Sequence, residues 1–245
     1  MLQLRHAAER FRTAGDGIES RHLFSFGEHY DPARVGHGPL VVSNAETVLA
    51  GRGFDDHPHA DAEIITWVLS GSLLHRDSRG GSGLVVPGVA QRMSAGSGVV
   101  HAERNDAFRT DPGRPVVPVR FVQMWLRPDE PGGTPSYEQR PLDLAELSRG
   151  WRPVASGSHP DAAVHLGSRG STLWVTVLAS GVRRVLPAGP LAHFYLARGA
   201  VELEGVGPLV AGDSVRLTGE AALGVTGRVA PDHEDAEVLL WTMTS

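Results

Sequence analysis

Every apolar run in this chain is short. The β-rich runs Glu63–Leu69, Gly83–Val86, Val119–Leu126 and Thr172–Leu178 are each closed by turn residues before a helical period could be sustained. Thirty glycines and seventeen prolines supply that punctuation. Short strands separated by such turns describe an all-β sandwich or barrel, and the long helical stretches of an α/β enzyme are missing.

The two halves of the chain also resemble each other. Trp67-Val-Leu-Ser-Gly71-Ser-Leu-Leu is matched 128 positions later by Tyr195-Leu-Ala-Arg-Gly199-Ala-Val-Glu. In each half a strand ends at a glycine, a second strand follows, and another turn comes next, Val86-Pro-Gly88 in the first and Ala211-Gly-Asp213 in the second. An internal repeat of this kind predicts two barrels of one type. The richest break, Arg127-Pro-Asp-Glu-Pro-Gly-Gly-Thr-Pro135, suits a linker or an extended crossing segment and divides the chain into residues 1–130 and 131–245. A short helix is expected just after it, over Leu142 to Leu147, with Asp143 as its N-cap.

Composition narrows the chemistry. The 245 residues contain no cysteine, so any metal must be held by imidazole and carboxylate. The net charge is −5 with dispersed basic residues, which argues against direct nucleic-acid binding, a task that needs clustered Lys and Arg. No apolar run approaches the roughly 20 residues of a membrane span. The opening Met1-Leu-Gln-Leu-Arg-His-Ala-Ala-Glu-Arg10 lacks the apolar core of a secretory leader, so a cytoplasmic protein is expected.

Twelve histidines are present, and four acidic or imidazole side chains fall in a pattern that single residues do not make. Side chains two apart on a strand share a face, so His57 and His59 point together, as do His101 and Glu103. Two neighbouring strands carrying these pairs would surround one point with ligands suited to a first-row divalent ion. Glu63 has the parity of His57 and His59, so spacing alone leaves the carboxylate open between Glu63 and Glu103, the other serving to orient a ligand imidazole. By the same parity Ile65 and Trp67 are expected to line an apolar pocket, with either Gln123 or Met124 across the barrel. Shifted by 128 positions, His57, His59 and Glu63 fall on Val185, Pro187 and Leu191, and Leu217–Gly227 offers only Glu220. With His193 alone, the C-terminal lobe is expected to bind no metal.

At these residues the chain resembles a known family. His57-x-His59 followed by Glu63 is similar to the first cupin motif, and His101-x-x-x-Asn105 to the second. Arg21-His-Leu-Phe-Ser-Phe, His29-Tyr-Asp-Pro32, Glu63-Ile-Ile-Thr-Trp-Val-Leu-Ser-Gly71, His75-Arg-Asp-Ser78 and Gln91-Arg-Met-Ser-Ala-Gly96 resemble the pirin family more narrowly. That resemblance implies a bicupin, two jelly-roll (double-stranded β-helix) barrels in tandem, with one metal ion per chain, usually iron as Fe(II). Zn, Mn, Ni or Cu also suit the site. It implies His57, His59, His101 and Glu103 as ligands and so favours Glu103 over Glu63. Bacterial members similar to this chain are linked to quercetin 2,3-dioxygenase activity, which implies a small aromatic substrate and dioxygen. Glu103 would also be the base that takes the substrate's hydroxyl proton if it swings off the metal. The alternative that the family implies is a metal-sensing regulator acting through a protein partner. A monomer is expected.

Overall fold

Strands of this kind bury alternate side chains, and their short connections let successive strands cross between two facing sheets. The computed structural model describes residues 1–219, 222–231 and 233–244, so Glu220 lies outside the described residues. The first strands are β1 (Leu2–Arg5), β2 (Phe11–Gly15), β3 (Ile18–His22), β4 (Leu40–Val48), β5 (Gly53–His59), β6 (Glu63–Ser70), β7 (Leu73–Asp77), β8 (Ser82–Val85), β9 (Val89–Ser94), β10 (Val99–Arg104), β11 (Val119–Leu126) and β12 (Ser136–Pro141). They are followed by β13 (Arg152–Ser156), β14 (Val164–His165), β15 (Ser171–Leu178), β16 (Arg183–Val185), β17 (Leu191–Arg198), β18 (Ala200–Leu203), β19 (Gly207–Val210), β20 (Ser214–Thr218), β21 (Gly224–Arg228) and β22 (Ala236–Met243). The helices α1 (Ala107–Thr110) and α2 (Leu144–Leu147) are each a single turn. Asp143 caps α2 as expected, its carboxylate accepting from Ala145 N at 2.9 Å.

The chain divides into two compact units. The N-terminal unit comprises Phe11–Leu142 and Ala163–Arg169, and the C-terminal unit comprises Met1–Arg10, Asp143–Ala162 and the residues from Gly170 onward. In the N-terminal unit a large antiparallel sheet, β12-β9-β6-β11-β4-β3-β2, faces a small one, β5-β10-β7-β8. Val48, Val68, Val119 and Phe121 of the large sheet and Leu73 and Val85 of the small one meet in one apolar cluster, which closes the two sheets into a barrel. The C-terminal unit has the same plan, β1-β20-β17-β22-β15-β13 against β16-β21-β18-β19. Strands β6 to β11 therefore correspond in order to β17 to β22, and the repeat read from Gly71 and Gly199 is a repeat of whole barrels.

The division at 130/131 is corrected at both ends of the N-terminal unit. Residues 1–10 belong with the C-terminal unit, because β1 pairs along β20 from Leu2↔Leu217 to Arg5↔Ser214. Residues 131–142 stay with the N-terminal unit, because β12 pairs along β9 from Ser136↔Ser94 to Pro141↔Val89. The Pro- and Gly-rich stretch is a crossing segment held against the barrel: Gly132 N donates to Asp61 Oδ1 at 2.6 Å, and Ser97 N donates to Gly133 O at 2.7 Å. Among the described residues no helix is long and apolar enough to cross a membrane.

Glycine is required where β6 and β17 end. Gly71 and Gly199 have φ of 77° and 72°. A Cβ at Gly199 would stand 2.7 Å from Ala236 Cα, and one at Gly71 would stand 2.8 Å from Pro118 O. Gly199→Ala therefore meets both backbone strain and a backbone clash, and should cost about 1–3 kcal/mol of stability in urea unfolding. An unchanged denaturation midpoint would contradict this account of the turn.

Candidate metal centre

The interior of the N-terminal barrel is layered. At one end lies the Val48, Val68, Leu73, Val85, Val119 and Phe121 cluster, and at the other lie Ile64, Met93, Ala95 and Val99. Between them the same inward faces carry polar groups: Thr66 between Ile64 and Val68 on β6, Gln123 beyond Phe121 on β11, and His75 beyond Leu73 on β7. On β10, His101 and Glu103 follow Val99. Thr66, His75, His101 and Glu103 are all buried.

Strand register brings the imidazoles together. In the β5–β10 pairing His57 stands opposite His101 and His59 opposite Val99. The register then slips, Phe54 facing Glu103, so that Asp55 and Asp56 form a bulge. The bulge turns the Asp55 carbonyl to His57 Nδ1 at 2.6 Å. Ring centroids are 4.4 Å apart for His57 and His101, 4.8 Å for His57 and His59, and 4.9 Å for His59 and His101. Nε2 of His59 and of His101 are buried without a hydrogen-bond partner. Burial first, and then the neighbouring rings, push His59 down to about 4 and His101 down to about 2, so both are neutral bases near pH 7. Buried nitrogens are seldom left partnerless, and neutral imidazoles converging with bare Nε2 atoms fit a first-row divalent metal ion.

Glu103 joins this group through His101. One ligand atom each from His57, His59 and His101 lies within 4.8 Å of the others, and the same holds for His75, His101 and Glu103. Gln123 Nε2 donates to Glu103 Oε2 at 2.7 Å, and Thr66 Oγ1 lies 3.5 Å from Oε1. Trp125 Nε1 donates to Gln123 Oε1 at 3.1 Å, which orients the amide so that its NH2 faces the carboxylate. Burial raises the proton affinity of Glu103, and the hydrogen bond from Gln123 only partly offsets this.

Four of the residues expected from parity lie elsewhere. Glu63, Ile65 and Trp67 are on the opposite face of β6 from Thr66. Glu63 accepts from Ser94 Oγ at 2.8 Å and from the Gly167 backbone, away from the imidazoles. The cross-strand pairs are Gln123↔Thr66, Met124↔Ile65 and Val122↔Trp67, so Gln123 faces the site while Met124 faces away with Ile65. The reason is the turn between β5 and β6, where Asp61 takes a positive φ of 51° and the chain passes from the small sheet to the large one. Alternation is a property of one continuous strand, and it cannot be counted through such a turn. The reading from spacing also passed over His75, Asp77, Thr66 and Trp125. His75-Arg-Asp77 is itself a same-face pair, the one signal that could have found two of them.

The corresponding belt of the C-terminal barrel is apolar. Phe194↔Leu240 takes the place of Thr66↔Gln123, and Leu203↔Val225 takes the place of His75↔Glu103. Leu186, bonded through its N–H to Leu223 O, takes the place of His57. All of them belong to one buried or partly buried apolar cluster.

Two barrels of one strand order, one enclosing this belt, define a bicupin. The pirin family model matches residues 4–126, and a protein of Mycobacterium tuberculosis provisionally named a quercetin 2,3-dioxygenase is 44% identical over 99% of this chain and 95% of its own. The Escherichia coli O157:H7 protein named quercetin 2,3-dioxygenase is 32% identical, covering 99% of each chain. The bacterial pirin YhhW from Escherichia coli, solved in complex with nickel(II), superposes with a TM-score of 0.85 at 30% identity, covering 100% of both chains. The chain belongs to the pirin family.

These placements predict opposite outcomes for two neighbours in space. Ile65→Val should cost about 0.5–1.5 kcal/mol of stability and leave nickel(II) affinity unchanged. Gln123→Leu strips the buried carboxylate of its donor, and should weaken nickel(II) binding by roughly 10-fold or more in competition titrations.

Proposed function

We propose that this chain is a metal-dependent dioxygenase of the quercetin 2,3-dioxygenase type, holding one divalent ion, Fe(II), through His57, His59, His101 and Glu103. The observation that carries the reading is the pair of partnerless buried Nε2 atoms on His59 and His101 beside His57. When bound, the ion supplies Lewis acidity toward the 3-hydroxyl oxygen of a flavonol. The overall reaction is cleavage of the central ring by dioxygen with loss of carbon monoxide.

The chain's own residues supply the rest. Once it swings off the ion, Glu103 is the base that takes the 3-hydroxyl proton. Gln123, oriented by Trp125, holds Glu103 Oε2, and Thr66 Oγ1 lies beside Oε1. Trp125 stands edge-on to His59 at 4.7 Å, and Phe26 edge-on to Trp125 at 5.5 Å. This aromatic wall suits a flat aromatic substrate.

The test is metal analysis joined to oxygen consumption over a panel of flavonols, using protein reconstituted with Fe(II) without air. His101→Ala should lose most of the metal and all flavonol-dependent oxygen uptake while still unfolding cooperatively. Glu103→Gln should weaken metal binding by roughly 10-fold or more, whereas Glu63→Gln, at a residue bonded to Ser94 and Gly167 away from the imidazoles, should leave it within about twofold. Retention of metal by His101→Ala would refute the ligand set. Full metal occupancy without turnover of any flavonol would refute the enzyme in favour of a metal-sensing module that acts through a protein partner.

A further inference from the structure

Behind His101 stand a second imidazole and a carboxylate in file. His75 Nδ1 is 3.5 Å from His101 Nδ1, and His75 Nε2 is 3.2 Å from Asp77 Oδ2. The β10–β7 register produces the file by setting Asp77 opposite His101 and His75 opposite Glu103. The side chains of His75 and Asp77 are 1% and 3% exposed, so water does not compete for these contacts.

The direction of each hydrogen bond follows from the far end. Asp77 Oδ1 accepts the backbone N–H groups of Arg79 and Gly81 at 2.8 and 2.9 Å, and an ionised carboxylate offers acceptors only. The proton between Asp77 and His75 therefore sits on His75 Nε2. A neutral His75 then presents a bare lone pair at Nδ1, and its contact with His101 is satisfied when His101 carries its proton on Nδ1. His101 Nε2, the atom buried without a partner, is left as a lone pair. His57 reaches the same state by a backbone route, its Nδ1 facing Asp55 O. His101 depends on side chains for it.

We infer that Asp77 and His75 form a tautomer relay that keeps the ring proton of His101 on Nδ1 and so presets Nε2 for the metal. Both are positioning residues. The inference rests on the reading above that His101 is a ligand. It concerns which atom carries a proton in the neutral rings and involves no gain or loss of charge.

Asp77→Asn is the decisive variant. Asparagine can keep an oxygen toward the Arg79 and Gly81 amides and turn its NH2 toward His75 Nε2, which reverses every donor along the file. His75 would then hold its proton on Nδ1, His101 would accept there, and His101 Nε2 would become N–H. The expected result is a metal-free melting temperature within about 4 °C of the parent and nickel(II) affinity lower by roughly 10–100-fold. Long-range 1H–15N spectra of the metal-free protein should show the His101 proton moved from Nδ1 to Nε2. His75→Phe removes the bias without reversing it, so its loss of nickel(II) affinity should be smaller than that of Asp77→Asn. A direct ligand role for His75, or a purely structural one for Asp77, predicts the opposite order, and that order would overturn the inference. So would nickel(II) binding by Asp77→Asn within twofold of the parent, or an Nε2–H tautomer of His101 in the parent protein itself, which needs no variant to fold. His101→Ala separates the two levels. If it binds nickel(II) normally, the ligand reading falls and the relay with it; if it loses nickel(II) while Asp77→Asn does not, the relay alone falls.

Discussion

A buried carboxylate and a cluster of imidazoles, His75 and His101 buried and His57 and His59 partly so, set the terms for the N-terminal unit. An unpaired polar group of this kind costs several kcal/mol in apolar surroundings, and an unpaired charge costs more. The barrel meets the cost by partnering nearly every polar atom: Gln123 with Glu103, Trp125 with Gln123, Asp77 with His75 and the Asp55 carbonyl with His57. Among the described residues of the belt, the buried atoms without a partner are Nε2 of His59, Nε2 of His101 and Oε1 of Gln91, which stands opposite Thr66. Of these, the two imidazole nitrogens are the donors suited to a first-row divalent ion.

The second barrel shows what the same plan becomes without that belt. Phe194, Leu240, Leu203, Val225 and Leu186 occupy the corresponding positions and pack into one apolar cluster. Replacing buried polar networks by well-packed apolar side chains is often neutral or stabilising. The polar belt of the first barrel is therefore not what holds this architecture together. The two barrels differ in what this layer holds, an apolar cluster in one and a His and Glu cluster in the other.

Much of the site was legible because its strongest element is local. His57 with His59, and His101 with Glu103, share a face through the alternation of a single strand, and the structure sets the two strands side by side with His57 against His101. The match between Gly71 and Gly199 likewise reports a local need, a positive φ at the end of a strand, and it correctly disclosed the repeated barrel. Where counting ran through the Asp61 turn it failed. Glu63, Ile65 and Trp67 lie on the far face of β6, Met124 goes with them, and Gln123 faces the site.

The amino-acid sequence by itself determined the all-β architecture, the doubling of the barrel and the two same-face pairs, His57 with His59 and His101 with Glu103, because turn chemistry, repetition and strand alternation all act over a few neighbouring residues. Tertiary structure alone decided three other matters. It put residues 1–10 on the C-terminal unit through β1 and β20, it brought Glu103, Thr66 and Gln123 into one cluster from three strands, and it lined up Asp77, His75 and His101. Each of these is a register between strands distant in the chain. Such a register is chosen by which faces can be buried together and which buried polar atoms can be satisfied, and neither condition exists until the sheets have closed on one another.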